Sequence, residues 1–155
     1  MRDELYDAAD EFFTLMTRLR RMGVGASPPE MTQISPALMA LVEQVAAVPD
    51  SSIVDLARRL ERAVPTVSVE VRHLVDAGLV ARRPHPQDGR AVQVFLTSEG
   101  RALYERVQRA RRDTLARLLS GLTSEERATL LRLLGKAMQA LEREDELQEE
   151  GSTKT

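Results

Sequence analysis

The sequence predicts a mainly α-helical fold with one small β-hairpin. Apolar residues recur at three- and four-residue steps through most of the 155 residues, which is the period of amphipathic helices. Between residues 79 and 96 the period changes to strict alternation, and a turn with two prolines and an Asp–Gly pair separates the two alternating runs. The length suits one compact domain or two small halves that share a core.

The first two helices are bounded by glycine and proline. An apolar stripe from Leu5 to Met22 predicts the first helix, which ends at Gly23 before a loop rich in Gly, Ser and Pro. Ser35–Pro36 begins the second helix, because proline is favoured at the first helical position. Val48–Pro49–Asp50 ends it.

Two shorter helices are predicted next. Ser51–Ser52 caps the first of them, and Asp55 completes a pattern that resembles a capping box. Pro65 begins the second, and Gly78 stops it. The inward stripe of this second helix consists of Val67, Val71 and Leu74.

A hairpin and two long helices complete the chain. Leu79–Arg83 predicts one strand, residues 84–89 a turn, and the alternation from Ala91 to Leu96 a second strand. A long helix then begins at Thr97–Ser98 and ends at Gly121. Thr123 begins the last helix in a capping box with Glu126, and its apolar seam contains Leu130, Leu134, Ala137 and Leu141.

This order of elements predicts a winged helix-turn-helix flanked by N- and C-terminal dimerisation helices. We assign residues 1–33 to an N-terminal dimerisation helix and loop, 34–97 to the DNA-binding domain, 98–147 to the C-terminal dimerisation helices, and 148–155 to a disordered tail. The small middle domain cannot cover all the apolar stripes, which favours a homodimer over a monomeric helical bundle with a hairpin insert. The predicted interface contains Leu5, Phe12, Leu118, Leu130, Leu134 and Leu141.

The charge is unevenly distributed. The chain carries a formal net charge of −2, but Arg58–Arg90 holds seven arginines against four acids. Glu142–Glu150 holds six acids and one arginine. A basic middle between acidic ends is an electrostatic footprint for nucleic acid, although a solvated arginine-rich face has the same composition.

Several classes of function are excluded by composition. The absence of cysteine removes disulfides, thiolate zinc sites and cysteine nucleophiles, and two histidines, His73 and His85, do not make a multi-histidine metal site. We expect no metal and no cofactor. With no nucleophile–base pair and no glycine-rich phosphate loop, an enzyme is not expected. No secretory leader or apolar span is recognised, so a cytoplasmic protein without membrane contact is expected.

The hairpin carries a family resemblance. The run from Asp88 to Thr97, Asp-Gly-Arg-Ala-Val-Gln-Val-Phe-Leu-Thr, resembles the Asp-x-Arg-x5-Leu-Thr wing signature of the MarR (multiple antibiotic resistance regulator) family at every fixed position. Upstream, Thr66–Val67–Ser68, Leu74, Gly78–Leu79–Val80 and Arg82 are similar to that family's recognition helix and first wing strand. The helix order fits from about Leu5 to Leu141.

The resemblance implies a homodimeric transcription regulator of double-stranded DNA, with a palindromic site and a wing docked beside each recognition helix. A repressor released by a small anionic or phenolic compound is expected, as in many relatives. The alternative is a protein-interaction module that keeps the fold and has lost tight DNA binding. Val69, where relatives often have arginine, and the net charge of −2 support that alternative.

Recognition-helix residues are expected to contact base edges or phosphates. Arg72 suits guanine O6 and N7, and Val69 suits a thymine methyl group. Thr66 and Ser68 can donate hydrogen bonds to DNA, or they can satisfy the start of their own helix. The full predicted set on this helix is Pro65, Thr66, Ser68, Val69, Arg72 and His73.

The wing is expected to reach the minor groove through Arg90, with Asp88 orienting it; the alternative is a surface ion pair. Four flanking residues are predicted to contact the DNA backbone: Arg82, Arg83, His85 and Gln87. Ser51 and Ser52 offer helix N–H groups to a phosphate. Of the following arginines, Arg58, Arg59 and Arg62, one or two are expected to pair with Glu61 or Asp55.

An effector pocket is the least specific expectation. Three residues of the first helix and one of the fifth, namely Phe12, Phe13, Met16 and Tyr104, can line a pocket, or they can be ordinary packing residues. The absence of tryptophan argues against the urate-responsive relatives, and the absence of cysteine excludes the hydroperoxide-sensing mechanism.

Overall fold

A computed structural model describes residues 2–24, 34–84 and 92–152. Its elements in chain order are α1 (Arg2–Arg21), α2 (Pro36–Ala47), β1 (Ser51–Ser52), α3 (Ile53–Arg59), α4 (Val64–Asp76), β2 (Val80–Pro84), β3 (Val92–Leu96), α5 (Ser98–Leu119) and α6 (Ser124–Ser152). This architecture confirms the predicted mainly α fold with a hairpin. The chain divides into two compact units, Met1–Thr114 and Leu115–Thr155. None of the helices within the described ranges is long and apolar enough to cross a membrane.

The core of the first unit lies among α2, α3, α4, the sheet and the beginning of α5. Its most completely buried side chains are Met39, Leu41, Val42, Val45, Leu56, Val67, Val71, Leu74, Val80, Val94 and Val107. The predicted inward stripe of α4 is thereby confirmed, since all three of its members are fully buried. The core therefore holds α4 by one side and leaves its other side to solvent.

The sheet has three antiparallel strands in the order β1-β3-β2. The hairpin pairs Val80 with Leu96 at its base and Pro84 with Val92 at its far end. On the other edge of β3, Ser51 pairs with Val94 and Ser52 with Gln93. The hairpin was predicted, but β1 was not, because two serines show no alternation and read only as a helix cap. Ser52 does cap α3, so it serves both purposes.

The helix ends follow the expected capping rules. The Ser35 hydroxyl accepts a hydrogen bond from the Leu38 N–H at 3.3 Å, and the Thr123–Glu126 capping box is present in both directions. The Thr123 N–H donates to the Glu126 carboxylate and is the main cause that lowers the pKa of Glu126. α6 continues to Ser152, past the predicted end at residue 147. Good helix formers fill this acidic stretch, and no proline interrupts it.

A tight junction joins the end of α4 to the start of α5. Gly78 has φ of +71°, a left-handed conformation that ends α4 and that glycine adopts without strain. The Thr97 hydroxyl donates to the Gly78 carbonyl oxygen at 2.6 Å and accepts from the Gly100 N–H at 3.0 Å. A Cβ atom on Gly100 would stand 1.9 Å from the Leu79 carbonyl oxygen. Only glycine therefore fits at position 100.

We expect Gly100→Ala to lower the free energy of unfolding by about 2–3 kcal/mol, because the added methyl group meets backbone that cannot step aside. Urea unfolding at one fixed protein concentration measures this. Gly121→Ala is the matched control, since a Cβ atom there would lie 3.9 Å from the nearest atom, an ordinary contact. Equal stabilities of the two variants would show that the junction tolerates a side chain.

Candidate nucleic-acid interface

The solvent side of α4 carries the polar and apolar residues that the sequence predicted for base contact. Pro65, Thr66, Val69, Arg72 and His73 are exposed, and Ser68 is half-buried. The helical period places Val69 and Arg72 opposite the buried stripe. We call the surface formed by Pro65, Val69, Arg72 and His73 the α4 face. It offers one apolar side chain next to a guanidinium and an imidazole, a set that can contact a thymine methyl group and guanine acceptors.

The first turn of α4 has no side-chain cap. The helix begins at Val64, its N-cap is Ala63, and no side chain accepts a hydrogen bond from the first turn. The alternative role considered for Thr66 and Ser68, satisfaction of the helix start, is therefore not observed. Both hydroxyls lie at the end of α4 that a recognition helix inserts into the groove.

Arg62 holds the recognition helix against α2. Its Nη1 donates to both carboxylate oxygens of Glu70, at 3.1 and 3.0 Å, and to the Ala37 carbonyl oxygen at 3.3 Å. The side chains of the pair are 28% and 16% exposed. The expected pairing of Arg58 with Asp55 is present at 3.5 Å. The partner of Arg62 differs from the expected acids because folding brings Glu70 of the next helix closer.

The serines before α3 are engaged within the protein. The Ser51 hydroxyl donates to the Val48 carbonyl oxygen at 2.8 Å. The Ser52 hydroxyl donates to Asp55 Oδ2 at 2.6 Å and accepts from the Asp55 N–H at 3.1 Å. The first of these bonds is the main cause that lowers the pKa of Asp55, so this carboxylate is ionised at neutral pH at the helix start. The phosphate contact expected of both serines stays a prediction, and Asp55 competes with it.

The two arginines of β2 have different surroundings, because successive side chains of a strand point to opposite faces. Arg83 Nη2 lies 2.6 Å from Asp50 Oδ1, and its Nε donates to Gln93 Oε1 at 3.2 Å. Its guanidinium also lies 5.3 Å from the centroid of the Phe95 ring. Arg82 is exposed and has no carboxylate partner in the described part of the chain. Arg82 is therefore free to contact a ligand, whereas Arg83 is held.

The tip of the wing lies outside the described residues. His85, Gln87, Asp88 and Arg90 all fall within residues 85–91. Their expected DNA contacts rest on the sequence.

The four expected effector residues are not brought together by the cavity nearest to them. Tyr104 packs against the core of the first unit and lines a polar cavity of about 250 Å³. The rest of the lining is Glu105, Gln108, Arg109 and Arg112. Phe12, Phe13 and Met16 are exposed on α1 and do not line it. Among the described residues, no group of three or more His, Asp or Glu side chains is placed to hold a metal ion.

The expected interface residues expose large apolar side chains. On α1 these are Leu5 and Phe12. In the second unit they are Leu118, Leu130, Leu134 and Leu141. Exposure of this many leucines on neighbouring turns is unusual for a surface that faces only water.

Comparison with known proteins agrees with this arrangement. The family model HVO_A0114 matches residues 33–103, which contain the helix-turn-helix and the hairpin. The uncharacterized HTH-type transcriptional regulator Mb0904 of Mycobacterium bovis is 35% identical over 126 residues, 81% of this chain and 84% of its own length. The HTH-type transcriptional repressor Rv2887 of Mycobacterium tuberculosis is 32% identical over 123 residues, 76% of this chain and 88% of its own length.

A solved structure gives the same result for the fold. Wild-type MarR of E. coli in its apo form is 26% identical, with a TM-score of 0.63 over 81% of this chain and 94% of its own. The relatives, the fold and the exposed recognition helix lead to one conclusion. The chain belongs to the MarR family of winged helix-turn-helix proteins and is a DNA-binding transcription regulator.

Proposed function

We propose that this regulator is a homodimeric repressor that reads a palindromic double-stranded DNA site, with α4 in the major groove and the wing at the neighbouring minor groove. The observation that carries the proposal is the α4 face, whose polar and apolar groups are exposed at the uncapped end of a helix that the core holds rigidly. A recognition helix of this fold presents its N-terminal half to the bases.

The proposed reading of sequence rests on Arg72 and Val69. Arg72 is exposed, and no ion pair within the described residues occupies its guanidinium, so its fork is available to guanine O6 and N7. Val69 is 46% exposed and has no hydrogen-bonding group, which suits a thymine methyl group. Pro65, Thr66, Ser68 and His73 supply the surrounding base and phosphate contacts.

The proposed contacts to the DNA backbone come from the hairpin and the serines before α3. Arg82 binds phosphate, and at the wing tip Arg90 enters the minor groove while Asp88 orients it. Gln87 and His85 add contacts on either side. Ser51 and Ser52 contribute backbone N–H groups.

The proposed dimer covers the apolar residues that neither unit buries. Leu5 and Phe12 of α1 pack with Leu118, Leu130, Leu134 and Leu141 in an interface with a second copy. A two-fold dimer presents two α4 helices to half-sites whose centres lie about 34–36 Å apart. Repression is inferred from the relative named as a repressor. A small anionic or phenolic effector, bound near Phe12, Phe13, Met16 and Tyr104, would release the DNA.

The test of this function is selection of DNA sites from a random-duplex pool at low and at moderate salt, with the mass of the protein measured in parallel. We expect a dimer that enriches a palindrome and whose affinity falls steeply with salt, by about 0.9 log units per phosphate contact for each log unit of salt. A folded protein that enriches nothing even at low salt would favour the interaction-module hypothesis.

Removal of a phosphate-binding arginine changes the salt dependence of binding. We expect Arg90→Ala and Arg82→Ala each to weaken binding to every duplex and to make the log–log salt slope less negative by about 0.9. Fluorescence anisotropy titrations at four salt concentrations measure both quantities. Arg132→Ala, an exposed arginine of α6, is the control and should keep the wild-type slope. An unchanged slope in Arg90→Ala would remove Arg90 from the interface.

A thymine methyl contact is testable by chemical deletion on the DNA. Replacing the contacted thymine by uracil should lower wild-type affinity about three- to fourfold, the effect of one buried methyl group. Val69→Ala should bind the thymine and uracil duplexes equally well. Uracil at a thymine outside the selected site is the control. If Val69→Ala and the wild type lose the same affinity on uracil substitution, Val69 does not read this methyl group.

The proposed dimer interface predicts opposite outcomes for two substitutions that add the same charge. Leu134→Asp should dissociate the dimer, because a carboxylate would be buried among apolar side chains. Gln139→Asp lies on the opposite side of α6 and should leave the dimer intact. Sedimentation velocity distinguishes the two species. A dimeric, DNA-binding Leu134→Asp protein would place the interface elsewhere.

A further inference from the structure

We infer that Arg83 is a positioning residue of the wing: together with Asp50 and Gln93 it fastens the base of the hairpin to the turn before β1, and it does not bind phosphate. The inference rests on the proposed DNA-binding function, and it gives Arg83 a different task from the backbone contact expected from sequence.

Arg83 is engaged on three sides by its own protein. Its Nη2 lies 2.6 Å from Asp50, its Nε donates to Gln93 at 3.2 Å, and its guanidinium lies 5.3 Å from the centre of the Phe95 ring. Gln93 is 8% exposed, so its amide oxygen needs a donor inside the protein. To reach a phosphate, Arg83 would have to leave the Asp50 carboxylate and abandon the Gln93 oxygen.

The contacts tie all three strands together at one level of the sheet. Gln93 of the central strand pairs with Ser52 of β1 on one edge and with Arg83 of β2 on the other. Asp50 directly precedes β1, so the Asp50–Arg83 ion pair bridges the two outer strands across Gln93. The pairing between β1 and β3 involves only two residues of β1. The ion pair therefore adds a second link between the hairpin and the turn that follows α2.

Asp50 is held in the conformation that this link needs. Its φ is +64°, in the left-handed region that aspartate and asparagine tolerate better than most other residues. The turn directs the carboxylate toward β2 and away from α3. This geometry recommends Asp50→Asn as the test variant, because asparagine keeps the size and the backbone preference and removes only the charge.

The two possible roles of Arg83 predict opposite effects of Asp50→Asn. If Arg83 bound phosphate, removal of the nearby negative charge would strengthen DNA binding. If Arg83 positions the hairpin, loss of its carboxylate partner loosens the base of the wing and weakens DNA binding. An acidic residue whose neutralisation weakens binding to a polyanion is hard to explain by overall charge.

The experiment compares the full-length wild type with Asp50→Asn, Arg83→Ala and the double variant on the selected duplex, over a series of salt concentrations. We expect affinity to fall about threefold in Asp50→Asn and about five- to tenfold in Arg83→Ala, both with the wild-type salt slope. The double variant should bind no more weakly than Arg83→Ala. Glu99→Gln removes one exposed negative charge from α5 and should bind as tightly as the wild type or more tightly.

A second measurement follows the hairpin without DNA. Deuterium uptake of peptides covering residues 80–96 should rise in Asp50→Asn relative to Glu99→Gln. Arg83→Lys keeps a charge opposite Asp50 but has no Nε–H fork for Gln93, so it should fall between the wild type and Arg83→Ala. It also replaces Arg83→Ala if that variant does not fold.

The outcomes separate this inference from the proposed function. Tighter binding by Asp50→Asn, or a salt slope less negative by about 0.9 in Arg83→Ala, would make Arg83 a phosphate ligand and overturn the inference. Wild-type affinity and wild-type deuterium uptake in both variants would overturn it too. If the wild type itself shows no salt-dependent DNA binding, the proposed function fails, and faster exchange in Asp50→Asn still supports the structural link.

Discussion

The carbonyl oxygen of Leu79 occupies the space that a side chain at position 100 would need, and the path of the chain through the first unit depends on this contact. The Thr97 N–H donates to the same oxygen at 3.1 Å, while the Thr97 hydroxyl bonds to Gly78. The end of the recognition helix, the hairpin and the beginning of α5 therefore meet at one point. Because this point is backbone against backbone, it fixes where β2 starts and so where the hairpin leaves the core.

From that point outward, ion pairs decide which arginines belong to the fold and which remain for DNA. Arg62 is bound to Glu70 and to the carbonyl oxygen of Ala37, and so fixes α4 against α2. Arg83 is bound to Asp50. The local charge of +3 counted along the sequence treats all these arginines alike, whereas the fold neutralises some at close range. The free cations are fewer, and they lie on the α4 face and on the other side of β2.

The apolar residues show a similar division of tasks. The core of the first unit is built from small and medium aliphatic side chains of α2, α3, α4 and the sheet. α1 and the second unit instead expose leucine, phenylalanine and methionine. Within the described residues, these helices satisfy their backbone hydrogen bonds and leave their apolar stripes without a partner from the same unit. Such a surface gains stability only when another apolar surface covers it.

The sequence by itself determined the type and order of the main elements, because periodicity, proline, glycine and capping residues act locally. The buried stripe of α4 and the Thr123–Glu126 capping box are of this kind. It also determined which side of α4 is available for DNA, since burial of Val67, Val71 and Leu74 leaves one other face. The strand β1 and the partners of Arg62 and Arg83 were decided only by the tertiary structure. Asp50 and Arg83 are 33 positions apart, and no local pattern records that two outer strands bring them within 2.6 Å.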